Sequence, residues 1–168
     1  MKRRTPKIPR IGVSILLPLL TFLVFPLPAS AWEGRVVELR DSRTLVVEQA
    51  GKQRQVALYG LRTPDLSEPF GEEAHAYVVS LLQGQEVSIQ PIGSGSRGAL
   101  VYLPGQEESV NARLLREGWA WVQEAFCEKA VLCGRLNAIQ TQAERAKNGI
   151  WSRIPEDTPP WRWLKEHE

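Results

Sequence analysis

The sequence predicts one α+β domain, mainly β, in which about five short strands curl into a small barrel and about three helices pack outside it. Short Val- and Leu-rich segments bounded by Gly, Pro, Asp and Ser are typical of strands, and apolar residues recur at helical spacing in other segments. Of the 168 residues, 43% are hydrophobic and 24% are charged, which excludes a disordered, collagen-like or disulfide-dense chain. Periodicity alone does not choose the barrel over another α+β arrangement.

The strand signals fall into two groups along the chain. The first two strands flank the turn-like pair Asp41-Ser42, and Pro64 ends the run that contains the third. A Gly- and Ser-rich loop over 93–96 separates the last two strands. The predicted strands are 35–40, 43–48, 56–59, 86–90 and 99–103.

Helical spacing marks three further segments. In the first, apolar residues from Phe70 to Leu82 fall on one face, and Gly84 stops the helix. In the other two, glycines again follow the last apolar position, at Gly118 and near Gly149. The predicted helices are 69–82, 110–115 and 136–146. The chain thus divides into a leader over 1–31, a domain over 32–154 and a Pro- and Trp-rich tail over 155–168, which we expect to lie over the surface or to be partly loose.

The leader resembles a secretory signal peptide. It has a basic start, an apolar run over 11–27 and a small-residue site at Ala29-Ser30-Ala31. We expect cleavage after Ala31 and export to a periplasm or out of the cell. The alternative is an uncleaved anchor, which would be the protein's contact with a membrane.

Most of the apparent basicity of the chain comes from this leader. The first 31 residues hold five basic residues and no acid, which leaves 16 Lys and Arg against 19 Asp and Glu in the remainder. A net charge of about −3 argues against strong non-specific binding to long nucleic acid, which requires many phosphate contacts.

The two cysteines, Cys127 and Cys133, are expected to form a disulfide, because an even pair in an exported protein is often oxidised. Two free thiols remain the alternative, since spacing alone does not decide. A zinc site is disfavoured, because two cysteines without a nearby histidine do not supply four ligands.

Several strings, in order, resemble the staphylococcal-nuclease-like (thermonuclease) family. The resemblance covers about residues 34–151 and implies an OB-fold barrel with helical elaborations, a scaffold that holds nucleic-acid strands on one face. The matching strings are GRVV and DSRT, LYGLRTPD, PFGEEA, RGAL, VNARLLREGWA and QAERAKNGIW.

In that family, phosphodiester hydrolysis uses carboxylates that hold calcium, a carboxylate that assists the attacking water, and two arginines that neutralise the phosphate. The resemblance places the two metal aspartates at Arg43 and Arg62, because this chain has DSRT for the family's DGDT and RTPD for its D-x-P-E. Asp41 retains the first acid of its string but is assigned no direct metal role.

The other catalytic positions are altered as well. The resemblance aligns the water-assisting glutamate with Asp65, which is one methylene shorter, and the first phosphate arginine with Ala57. The second phosphate arginine is retained as Arg97, although the Gly-Ser loop before it departs from the family's Tyr-Gly-Arg. Asp65 and Arg97 are therefore the catalytic remnants that the resemblance implies.

These exchanges disfavour a calcium ion. Calcium requires several oxygen ligands with net negative charge, whereas arginine stays protonated at any ordinary pH. Two Asp-to-Arg exchanges shift the local charge by about four units. We therefore expect no metal ligands, no cofactor and no metal-dependent hydrolysis by the inherited route.

Two interpretations of the former metal site stay open. Arg43 and Arg62 could form, beside Arg97, a fixed cationic cluster that binds a phosphate, a sulfate or a carboxylate through bidentate hydrogen bonds. Alternatively, the first two arginines pair with neighbouring carboxylates and fill the site. The candidate carboxylates are Asp41, Asp65 and Glu68.

The expected function is that of an exported, monomeric pseudo-nuclease that binds single-stranded nucleic acid, another anionic ligand or a protein partner. The alternative is an active nuclease with calcium-independent chemistry, in which Asp65 acts as base and the arginines replace the cation. A protein-interaction role would draw on the tryptophans. The structural alternative places Trp119, Trp121 and Trp151 in the core, with Trp161 and Trp163 flanking the barrel from the tail.

Overall fold

The computed structural model describes residues 31–93, 98–155 and 158–167. Two predictions fall outside this part of the chain: the leader, of which Ala31 alone is described, and the phosphate arginine Arg97. Among the described residues, no helix combines the length and the apolar character that crossing a membrane requires.

An antiparallel sheet of five strands forms the centre of the fold, in the order β3-β2-β1-β5-β6. A parallel bridge between Leu58 and Ala99 joins the chain just after the third strand to the sixth, so the two edges of the sheet approach each other. The predicted α+β, mainly β fold with five strands is confirmed. The sheet strands are β1 (Trp32–Leu39), β2 (Thr44–Gln49), β3 (Lys52–Ala57), β5 (Glu86–Pro91) and β6 (Ala99–Tyr102), and β4 (Leu61–Arg62) pairs separately with β7 (Trp121–Val122).

The β2–β3 hairpin explains why the third strand lies earlier than predicted. Its two-residue loop has Ala50 at φ 49° and Gly51 at φ 74°, and a loop with two positive φ values matches the twist of the flanking strands. The register then pairs Gln49 with Lys52 and Thr44 with Ala57. The first four residues of β3 are polar and exposed, so they carry no apolar alternation that the sequence could reveal.

Within the described ranges, four α-helices surround the sheet, one more than predicted. The first two agree with the sequence prediction within about two residues at each end. The third begins at 130, earlier than the predicted 136. The sequence did not reveal this turn, because Val131 is 75% exposed and only the adjacent pair Leu132 and Cys133 packs inward, which is too short for a helical pattern. The helices are α1 (Gly71–Leu82), α2 (Val110–Arg116), α3 (Ala130–Ala146) and α4 (Pro160–Glu166).

The chain before α3 is attached to the barrel by Tyr59. Its side chain is 1% exposed, and its hydroxyl oxygen accepts hydrogen bonds from the backbone N–H groups of Glu128 and Lys129 at 2.7 and 2.8 Å. A disulfide joins Cys127 to Cys133, whose Cα atoms are 5.7 Å apart. Of the two states that the sequence left open for the cysteines, the structure contains the bonded one.

A second hydrophobic cluster corrects the prediction for the tail. Helix α4 lies within it, because Trp163 and Leu164 are 9% and 0% exposed. Trp163 is therefore a core residue, whereas Trp161 is 51% exposed and lies at the surface. Burial of Trp121 and Trp151 agrees with the core interpretation of those residues. The cluster consists of Phe70, Trp121, Ala143, Ile150, Trp151, Ile154, Trp163 and Leu164.

Candidate functional site

Four residues that the sequence singled out, Asp41, Arg43, Arg62 and Asp65, line one cleft of about 270 Å³. One wall comes from the turn between β1 and β2, and another comes from the end of β4 and the segment that follows it. A third wall comes from the chain after β7. The lining residues are Asp41, Arg43, Arg62, Thr63, Asp65, Gln123 and Phe126.

The backbone around Arg43 is held at three points. Its N–H donates to Asp41 Oδ1 at 2.7 Å, its carbonyl accepts from Leu58 N–H at 2.9 Å, and Arg40 N–H donates to the Thr44 carbonyl at 2.9 Å. Asp41 is thus bound to a backbone amide, as is typical of an Asx turn. The turn therefore presents the Arg43 side chain at the mouth of the cleft in a defined position.

The guanidinium of Arg43 stacks on an aromatic ring. Its Cζ lies 4.9 Å from the centre of the Phe126 ring, which is within the range of a cation–π contact. No carboxylate among the described residues lies within ion-pair distance of this guanidinium. Arg43 thus places a positive charge in the cleft, and the Phe126 ring stabilises it through the cation–π contact.

Arg62 is balanced by acidic side chains. Its Nη2 lies 3.5 Å from Glu68 Oε1 and 3.9 Å from Asp65 Oδ2. The Glu68 side chain is 9% exposed and its other oxygen accepts from Asp65 N–H at 2.7 Å, so Glu68 is fixed in place. The Asp65 side chain is 71% exposed and its contact is long, so this second ion pair is weak.

The donors in this cleft do not fit a calcium ion. Two guanidinium groups line it, while Asp41 is bound to the Arg43 amide and Glu68 to the Asp65 amide and the Arg62 side chain. In the part of the chain that the structure describes, no three His, Cys, Asp or Glu side chains are grouped as metal ligands. A cation placed here would be repelled by two guanidinium groups, and Asp65 is the one lining carboxylate without a close partner among the described residues.

The structure brings three of the sequence-derived site residues together and separates another from them. Arg43, Arg62 and Asp65 share the cleft, whereas Ala57 lines a different depression on the sheet. Arg97 lies outside the described residues, so the cluster of three arginines stays a prediction.

Sequence reasoning missed Phe126 and Gln123, which complete the cleft. Gln123 is placed by its N–H, which donates to the Gly60 carbonyl at 3.0 Å. Phe126 precedes Cys127, the first half of the disulfide, and is 40% exposed. The proximity of both residues to the cleft depends on the β4–β7 pairing, and the two-residue strands involved are too short to produce a sequence pattern.

Comparison with known proteins gives consistent matches. The model for staphylococcal nuclease homologues matches residues 55–153, which is more than half of the chain. An uncharacterized endonuclease of Escherichia coli O157:H7 is 28% identical over 151 residues, covering 88% of this chain and 95% of that protein. Protein ParB of Escherichia coli is 27% identical over 177 residues, covering 99% and 96% respectively. The thermonuclease of Staphylococcus hyicus is 27% identical over 129 residues, covering 70% and 75%.

Proposed function

Because the chain belongs to the family of staphylococcal nuclease homologues, we propose that its cleft binds phosphate groups of single-stranded nucleic acid without calcium-dependent hydrolysis. One observation carries the proposal: Arg43 and Arg62, at the positions that the family resemblance assigns to metal-binding aspartates, both line the same cleft. Guanidinium groups match the geometry of phosphate oxygens and form charge-assisted hydrogen bonds to them.

The two arginines contribute unequally to this binding. Arg43 has an aromatic partner and no carboxylate partner among the described side chains, so its positive charge is the main attraction for a phosphate. Arg62 is held by Glu68, and the exposed, loosely paired Asp65 competes with an incoming anion for it. Displacing Asp65 costs little, because an exposed ion pair contributes at most about 1 kcal/mol. This arrangement favours modest, salt-sensitive binding.

Loss of hydrolysis follows from the same charges. A metal ion stabilises the charge that develops on the phosphate and lowers the pKa of a bound water. Among the described residues, no group of three acidic, His or Cys side chains is suited to such an ion. Fixed arginines replace part of the electrostatic stabilisation but do not activate water. On this proposal, the protein binds single-stranded nucleic acid without hydrolysing it.

Calcium-independent hydrolysis is a second candidate, favoured by one observation. Asp65 lines the cleft together with both arginines, so a carboxylate base and two cations lie around the place where a phosphate would bind. Its expected signature is cleavage that persists with a chelator and disappears in Asp65→Ala.

The direct test measures cleavage and binding on the same samples. We expect no cleavage of single-stranded DNA or RNA with calcium or with a chelator, and measurable binding of a labelled oligonucleotide at low salt. Arg43→Asp should weaken that binding by about tenfold or more, because a hydrogen bond to a charged group contributes roughly 1.5–3 kcal/mol. Arg135→Asp, which makes the same charge change on the exposed face of α3, is the matched control. Calcium-stimulated turnover by the wild-type protein would refute the proposal.

Export belongs to the same proposal. The first strand begins at Trp32, so cleavage after Ala31 would leave every described strand and helix intact. The Cys127–Cys133 disulfide suits an oxidising compartment. Expression of the full chain in a host with a secretion system should yield a mature protein that starts at Trp32 by intact-mass measurement. A cell-associated product that retains residues 1–31 would support the uncleaved anchor instead.

A further inference from the structure

A groove on the sheet, separate from the cleft, has its own aromatic and cationic residues. It has a volume of about 420 Å³ and lies where the edge strands β3 and β6 diverge from their contact at Leu58 and Ala99. We call it the Trp32–Arg54 groove. Its lining residues are Trp32, Thr44, Arg54, Gln55, Val56, Ala57, Ile89, Pro91, Gly98 and Ala99.

Trp32 and Arg54 come from strands that are not neighbours in the sheet. Trp32 begins β1 and pairs with Ile89 of β5, while Arg54 lies on the edge strand β3. The Arg54 Cζ is 5.2 Å from the centre of the Trp32 ring, which is a cation–π distance. The indole is partly exposed and Arg54 is exposed, so both groups are accessible from the groove.

The charge of the groove differs from that of the cleft. Arg54 is the one ionisable side chain among the lining residues, none of which is Asp or Glu. No ion pair of Arg54 occurs in the described ranges. In the cleft, by contrast, Arg62 is paired with Glu68 and Asp65. Because no described lining residue is acidic, an anionic ligand in the groove would not be repelled by carboxylates.

The groove and the cleft adjoin through the backbone. Arg43 lines the cleft and Thr44 lines the groove, and Leu58 N–H donates to the Arg43 carbonyl beside Ala57. Residues that are neighbours in the chain therefore line the two depressions. An aromatic ring with an adjacent arginine is the combination that binds single-stranded nucleic acid, by base stacking and phosphate contact.

We propose that the Trp32–Arg54 groove is a second contact site for the same single strand, where a base stacks against Trp32 and Arg54 binds a phosphate. This inference rests on the proposed function of the cleft and extends it to a longer ligand. A double helix does not fit the arrangement, because its bases are already stacked on each other and are not available to the indole. The expected ligand spans several nucleotides, since one strand must reach both depressions.

The experiment compares two probes that differ in length. Binding of a labelled single-stranded DNA of about eight nucleotides and of a labelled dinucleotide is measured by fluorescence anisotropy at several salt concentrations. Arg54→Gln and Trp32→Leu should each weaken binding of the longer probe by about tenfold and leave the dinucleotide unaffected. Arg54→Gln should also reduce the salt dependence by about one phosphate contact. Arg135→Gln, which removes a positive charge from the exposed face of α3, should change neither probe.

Two further measurements separate binding from folding. Thermal unfolding of each variant shows whether the fold is retained, and Trp32→Phe keeps an aromatic face with less packing change. Trp32→Phe should bind the longer probe better than Trp32→Leu does. Equal losses in these two variants would indicate a packing role for Trp32 and would overturn its stacking role.

The remaining outcomes distinguish the two proposals. If Arg43→Asp weakens binding of the longer probe while Arg54→Gln and Trp32→Leu bind it like the wild-type protein, the groove proposal is overturned and the function of the cleft stands. If the wild-type protein binds neither probe, both proposals fail. Tighter wild-type binding of an extended acidic peptide than of the longer probe would assign the groove to a peptide and overturn its assignment to nucleic acid.

Discussion

The guanidinium of Arg62 lies 5.6 Å from the centre of the Trp121 ring, across the short ladder in which the two residues pair directly. Trp121 is completely buried in the second hydrophobic cluster, which also contains Trp163 and Leu164 of the C-terminal helix. Arg62 of the cleft therefore packs on a hydrophobic cluster to which helix α4 contributes. Changes in α4 should consequently affect both stability and ligand binding.

Trp163→Ala should lower the free energy of unfolding by about 3–5 kcal/mol, because it removes a large side chain from a packed core. Trp163 is 9% exposed and its ring centre lies 6.0 Å from that of Phe70. Urea denaturation gives the measurement. Trp161→Ala is the matched control, because Trp161 lies on the same helix but is 51% exposed. The expected change is within about 0.5 kcal/mol. Equal effects of the two substitutions would mean that α4 does not pack as described.

The double variant Arg43→Asp, Arg62→Asp should bind calcium more tightly than the wild-type protein does. It replaces two positive charges by two carboxylates in a cleft that already contains Asp41 and Asp65, and carboxylate oxygens are the ligands that calcium prefers. Since a ligand that binds the native state raises its stability, calcium should raise the melting temperature of the double variant. An equal rise for the wild-type protein would contradict our account of the cleft.

Tyr59→Phe should destabilise the protein by about 1–3 kcal/mol, because two backbone N–H groups lose their acceptor. These groups belong to Glu128 and Lys129, directly before α3. Chemical denaturation provides the value. Tyr102→Phe removes the same hydroxyl from a half-buried side chain on β6 and serves as control, with little expected change. A loss in Tyr102→Phe that matched the loss in Tyr59→Phe would argue against the attachment of α3 through Tyr59.

Reduction of the Cys127–Cys133 disulfide should cost about 2 kcal/mol, the value that chain entropy predicts for a short loop. Reduction should also weaken oligonucleotide binding, because Phe126 directly precedes Cys127 and supports the Arg43 guanidinium. The melting temperature and the dissociation constant are measured with and without reductant. The variant Cys127→Ser, Cys133→Ser is the control, since reductant should leave it unchanged. Stability that is indifferent to reductant in the wild-type protein would refute this prediction.

The sequence contained enough to predict the sheet and two helices, whereas the exchange of two metal ligands for Arg43 and Arg62 stays a prediction from the family resemblance. Alternating burial marks β1, whereas β2 contains a continuous apolar run and its first four residues are all buried. The polar start of β3 and the largely exposed first turn of α3 could not be predicted, because they bury little apolar surface. Strands β4 and β7 were missed because two residues are too few for a periodic pattern, although Leu61 and Trp121 are fully buried. Helix α4 was missed for a related reason, since Pro159 and Pro160 at its start resemble a loop in sequence.

By itself, the sequence determined the family and the mainly β fold. It also determined that Arg43 and Arg62 stand at the positions to which the family resemblance assigns metal-binding carboxylates. These properties depend on residue identity and local spacing. Tertiary structure alone decided which charges are balanced: Glu68 holds Arg62, while Phe126, from a distant part of the chain, stacks on Arg43. It also decided that Trp32 and Arg54 meet across the curled sheet. The physical reason is that ion pairs and stacking act over a few ångströms, and only folding brings residues remote in sequence to that distance.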